Sequence, residues 1–92
     1  MSEKRKKGVR MITEIFDLPK EATLGLPRII MMGNEELMIE NHEGIANYSA
    51  EEIRIKTKSG AIDIKGKEVH IKSIDTERVF VLGEILAVFF EG

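Results

Sequence analysis

The chain restarts one phrase every sixteen residues. ELMIEN (36–41), EIRIKT (52–57) and EVHIKS (68–73) each open on a glutamate and continue with alternating apolar residues; EILAVF (84–89) is a weaker fourth copy. The apolar pairs are Leu37 with Ile39, Ile53 with Ile55, Val69 with Ile71, and Ile85 with Ala87. Eight residues after each glutamate the unit breaks, at Gly44, Gly60, Thr76 or Gly92. A period of two with a break every eight residues describes short strands and excludes helices over this region.

Two architectures share that arithmetic. In an antiparallel meander one repeat is two strands joined by tight turns, and in a β-solenoid one repeat is a sixteen-residue coil stacked on the next. Turn chemistry favours the meander. Gly66-Lys67 lies between two alternating runs with the glycine first, as a two-residue type II′ hairpin requires. Ser59-Gly60 suits a short loop with glycine at positive φ, and Gly44 sits where a longer hairpin loop would want it. The expected fold is mainly β: a meander curling into a small sandwich or half-barrel over residues 28–92.

The two faces of that sheet differ. Ile53, Ile55, Ile62, Ile64, Val69 and Ile71 would point into a core, while Arg54, Lys56, Asp63, Lys65, His70 and Lys72 would face out. The final stretch, 78–92, breaks the rule because both of its faces are apolar. Gly83 marks a bulge or bend there. Phe80, Leu82, Leu86, Val88 and Phe90 then need cover, either from the chain's own N-terminal segment or from a second copy, which makes this strand a possible protein interface.

Residues 1–27 read differently. Val9, Ile12, Ile15 and Phe16 fall at helical spacing, so a short amphipathic helix is expected over 3–17, followed by a linker containing Pro19 and Pro27. Lys4, Arg5, Lys6, Lys7 and Arg10 against Glu3 give the first ten residues a charge of +4. The net charge of the chain is −2, so the remainder carries −6. A basic start on an acidic body argues against nucleic acid as a partner. The five basic residues could instead contact an anionic membrane or a protein partner, while the apolar stripe covers the sheet or joins them. The basic start has no following apolar region and does not read as a secretory signal.

Chemistry-bearing residues are few. There is no cysteine, which removes disulfides, thiolate ligands and cysteine nucleophiles. Glu40, Asn41, His42, Glu43 and Gly44 form a dense polar cluster whose carboxylates and imidazole could bind a metal or act as an oriented base. The same composition suits a hairpin loop. The recurring Glu36, Glu52, Glu68 and Glu84 fit solvated strand boundaries. No catalytic residue, metal ligand or cofactor is expected, and the chain reads as a non-enzyme.

FDLP (16–19), LPRIIMMG (26–33), IENHEGI (39–45), IRIKTKSGAIDIKGKEVHIKSI (53–74) and GEI (83–85) together resemble the YabP/YqfC sporulation family, in order and over nearly the whole chain. The resemblance implies an endospore-forming bacterium and a small non-enzymatic factor made in the cytoplasm of the mother cell, peripheral at the outer forespore membrane. It also implies YqfD, a larger membrane-associated sporulation protein encoded beside such proteins, as a partner. It supplies no catalytic residues; Glu40, Asn41, His42 and Gly44 match its motif without an assigned role. A self-assembling spore protein and a metal-dependent site at His42 stand as alternatives.

Overall fold

The computed structural model describes residues 25–92. The helix expected over 3–17, its linker up to residue 24 and the basic residues Lys4 to Arg10 lie outside the described residues. Six strands follow: β1 (Arg28–Met32), β2 (Glu36–Glu40), β3 (His42–Tyr48), β4 (Glu52–Thr57), β5 (Gly60–Ile74) and β6 (Arg78–Glu91). They form one open antiparallel sheet in the order β1-β2-β6-β5-β4-β3. Antiparallel pairing throughout rules out the sixteen-residue solenoid.

Strands β3 to β6 run as a meander, but β2 leaves it to pair with β6. The reason is the length of the last two strands. β5 and β6 form one long hairpin; β2 lies along the Arg78–Leu82 half of β6, and β4 lies along the Gly60–Lys65 half of β5. Alternation then sends Leu37, Ile39, Ile53, Ile55, Ile62, Ile64, Val69, Val79, Val81 and Ile85 into one buried cluster, with Ile71 partly buried against it. Both halves of the long hairpin feed this cluster, so the sheet must bend between them.

The bend corrects two turn readings. Gly66-Lys67 is no hairpin: it lies inside β5, at a register shift against β6. Gly44, with φ of 118°, lies inside β3 beside another register shift and turns no hairpin. Ser59-Gly60 does belong to a reversal, between β4 and β5. Gly83 marks the bend in β6, with φ of 142°, opposite the extra residue of β5. A Cβ added to Gly83 would stand 2.7 Å from the Val69 Cα, closer than real side chains come.

Candidate interaction surface

The polar cluster at 40–44 is a corner between strands rather than a loop. Asn41 takes the left-handed conformation at φ 68°, which asparagine tolerates better than most residues. That conformation turns the chain from β2 into β3. Its backbone N–H donates to the Glu77 carbonyl at 2.7 Å and its side-chain amide to the Leu26 carbonyl at 2.8 Å. Glu40 is buried and takes Arg28 on one side and Arg78, at 2.8 Å, on the other, tying β1, β2 and β6 together.

Both ring nitrogens of His42 are engaged. Nδ1 accepts the Gly44 N–H at 3.1 Å, so Nε2 carries the proton and donates to the Asp75 carbonyl at 2.7 Å. A metal would have to break one of these bonds. The Asp75 carboxylate accepts the N–H groups of Arg78 and Glu77, and these bonds hold its pKa below the ordinary value; the Arg78 charge adds a smaller electrostatic contribution. Motif and β5–β6 turn thus form one hydrogen-bonded structural unit. Among the described residues no group of three or more His, Asp or Glu side chains is placed to hold a metal ion.

The outer face of β1, β2 and β6 is laid out in cross-strand rows. Arg28, Glu40 and Arg78 make the first row; Ile30, Met38 and Phe80 the second; Met32, Glu36 and Leu82 the third. The second and third rows line an apolar groove of about 520 Å³, rimmed by Lys72, Asp75 and Arg78. Met38 is buried although it faces away from the core, and Met32 is 68% exposed. Of the residues expected to form an interface on the last strand, Phe80, Leu86 and Phe90 are exposed, Leu82 and Val88 half-buried. Leu86 is the extra residue where β6 shifts register against β5, which explains why it stands out from the sheet.

Two arrangements escape a linear reading. Glu36, Glu68 and Glu84, expected as separate strand boundaries, line one crevice with Glu35, Lys67 and His70. Their coming together follows from β2 pairing with β6, which nothing in the repeat announces. Asp63 was expected on the solvated face but is buried, with Oδ1 unpartnered and Arg54 Nη1 3.7 Å from Oδ2. Its hydrogen bond with Glu52, helped by desolvation and by the Asp63 charge, raises the Glu52 pKa above the usual carboxylate range. Arg54 also pairs with Glu91, whose carboxyl is held low by that contact. A signal for this cluster was present: Asp63 stands directly opposite Arg54 once β4 and β5 are paired.

Comparisons with known proteins identify the family. The model of the YabP family matches residues 25–92, which include all six strands. The YqfC protein of Bacillus subtilis (strain 168) is 33% identical over 85 residues, which cover 92% of this chain and 91% of that relative. On both grounds the chain belongs to the YabP family.

Proposed function

We propose that this protein is a non-enzymatic binding or assembly factor of endospore formation, acting in the mother cell at the surface of the forespore membrane with a YqfD-like membrane protein as its partner. Membership of the YabP family supports the sporulation role. The observation that carries the binding role is the exposed apolar surface of the last strand, where Leu86 is 62% and Phe90 72% exposed. Large apolar side chains left this exposed within five residues of one strand suit a contact with protein or membrane. The polar motif at 40–44, by contrast, is consumed in holding the strands together.

The test replaces the chromosomal gene in its endospore-forming host by the wild-type sequence or by a Leu86→Asp/Phe90→Asp double variant. Heat-resistant spore yield and recovery of YqfD with the tagged protein from solubilised membranes are read together. The proposal expects wild-type protein to retain YqfD and the variant to lose both YqfD and spores, with an unchanged circular dichroism spectrum. Full spore yield from the variant, together with no YqfD and no liposome sedimentation for the wild type, would refute it.

A further inference from the structure

The two edges of the sheet are built differently. β3 carries two register shifts against β4, the kind of irregularity that blunts an edge against further pairing. β1 pairs residue for residue with β2 from Arg28 to Met32, without a shift. Its sequence, RIIMM, contains neither proline nor lysine, and its one charge is held by Glu40. Among the described residues β1 has a strand on one side alone. A regular apolar edge of this kind is a template for another strand.

We propose that β1 is the dimerisation edge of this protein, pairing antiparallel with β1 of a second copy about a two-fold axis through Ile30 and normal to the sheet. Self-complementarity is the argument for a second copy over any other strand. In this register Arg28 stands opposite Met32 of the second copy, Ile29 opposite Met31, and Ile30 opposite itself. The five pairs bring no like charges together, and they cover Met31 and Met32, which are 42% and 68% exposed.

The axis also keeps each face on its own side, because alternate residues share a face. The row Ile30–Met38–Phe80 then meets its own copy, and the two apolar grooves join into one strip six side chains long. In the next row Arg28 faces Met32 of the second copy, with Glu36 of that copy one strand further on, so the flanking charges are of opposite sign. This surface is separate from the exposed part of β6 on which the proposed binding role rests, and the two fail independently.

Sedimentation velocity and light scattering on the full chain test the proposal, with charge placed at the edge. Met32→Lys sets a lysine opposite Arg28 twice in the dimer and should weaken association about tenfold or more. Met32→Glu sets a carboxylate in the same place and should leave the dimer at least as tight as wild type. Position 32 is exposed, so neither variant threatens the fold. The chain has no cysteine, so Ile30→Cys provides a single thiol, which a short thiol-reactive crosslinker should join into a covalent dimer; Leu86→Cys should dimerise as wild type does but remain uncrosslinked. A wild-type monomer at several hundred micromolar overturns the proposal. So does a dimer on which Lys and Glu at position 32 act alike, or one crosslinked through position 86.

Discussion

Glu40→Gln is the substitution that most directly separates a structural from a chemical role for the family motif. The Glu40 side chain is 6% exposed and lies between Arg28, at 15%, and Arg78, at 44%. Glutamine keeps the volume and one acceptor but removes the charge. Arg78 is open enough to rehydrate, so its loss should be small. Arg28 is not, and removing one partner of a buried ion pair costs about 3–5 kcal/mol. With one acceptor retained, the lower end applies, about 3 kcal/mol. A domain of this size has roughly 5–15 kcal/mol in all, so the variant should lose a large share of its stability. At a urea m-value of about 1 kcal/mol per molar, the midpoint falls by roughly 3 M. Far-UV circular dichroism during urea unfolding gives the midpoint, and an unchanged m-value confirms that the folded state is the same. A triple variant, Arg28→Met/Glu40→Leu/Arg78→Met, should recover most of the loss, because no charge is then left buried. A Glu40→Gln protein within about 0.5 kcal/mol of wild type would refute the reasoning and return Glu40 to the list of functional groups.

Four further outcomes follow from the geometry. Gly83→Ala should cost about 3–5 kcal/mol, combining a disfavoured φ with overlap against the backbone of Val69 and Glu68; Gly33→Ala, also at positive φ but with open space around it, should cost about 1–2 kcal/mol in the same urea titration. Because the folded state raises the Glu52 pKa, the charged carboxylate is destabilising above that pKa and the penalty is relieved as pH falls towards the ordinary value of 4.5. Glu52→Gln should therefore raise Tm at pH 7, with the difference from wild type closing below that value. Asp75 has the opposite sign: its pKa is lowered, so its contribution is present above the ordinary 3.8 and lost as pH falls through the folded value. Asp75→Ala should lower Tm at pH 7 and converge with wild type in acid, as measured by thermal unfolding across pH.

The buried face was legible because alternation is a local property. Ile53, Ile55, Ile62, Ile64 and Val69 are all buried, as their spacing requires. What alternation does not encode is which strand lies beside which. Glycine marks a hairpin turn and a close backbone approach with the same letter, and Gly66 is the second kind: a Cβ there would meet the Glu84 carbonyl at 2.1 Å. Reading it as a turn cut β5 in two. The position of Asp63 was lost for a related reason. Its side chain faces away from the core, yet it is buried beside the guanidinium of Arg54. Asn41 was the missed local signal, since an asparagine between two strand-like runs is where a left-handed corner is cheapest.

The sixteen-residue period itself becomes intelligible in the sheet order. Adding sixteen carries β1 onto β3, β2 onto β4 and the turn at 33–35 onto that at 49–51, so the strand order β1-β2-β6-β5-β4-β3 reads the same from either edge after this exchange. The hydrogen bonds obey the same shift. Ile85 N–H donates to the Asn34 carbonyl at 2.7 Å, and Val69 N–H donates to the Ala50 carbonyl at 2.8 Å, one contact being the other displaced by sixteen residues in opposite directions. Gly83 N–H to Glu35 and Gly66 N–H to Glu51 make the second pair, one residue out of step because β5 carries an extra residue at its bend. Each short hairpin thus clamps, with its turn, the bend of one long strand. The glutamate that opens each phrase is where a strand begins, at 36 and 52, or resumes after a bend, at 68 and 84; of the eight-residue breaks, Gly60 and Thr76 fall at reversals and Gly44 does not. A repeat serving chemistry would place equivalent side chains around one substrate. This one places equivalent backbone groups at two symmetric bends, and the groups left over for recognition are those that break the symmetry: the smooth edge of β1 against the bulged edge of β3, and the exposed apolar end of β6.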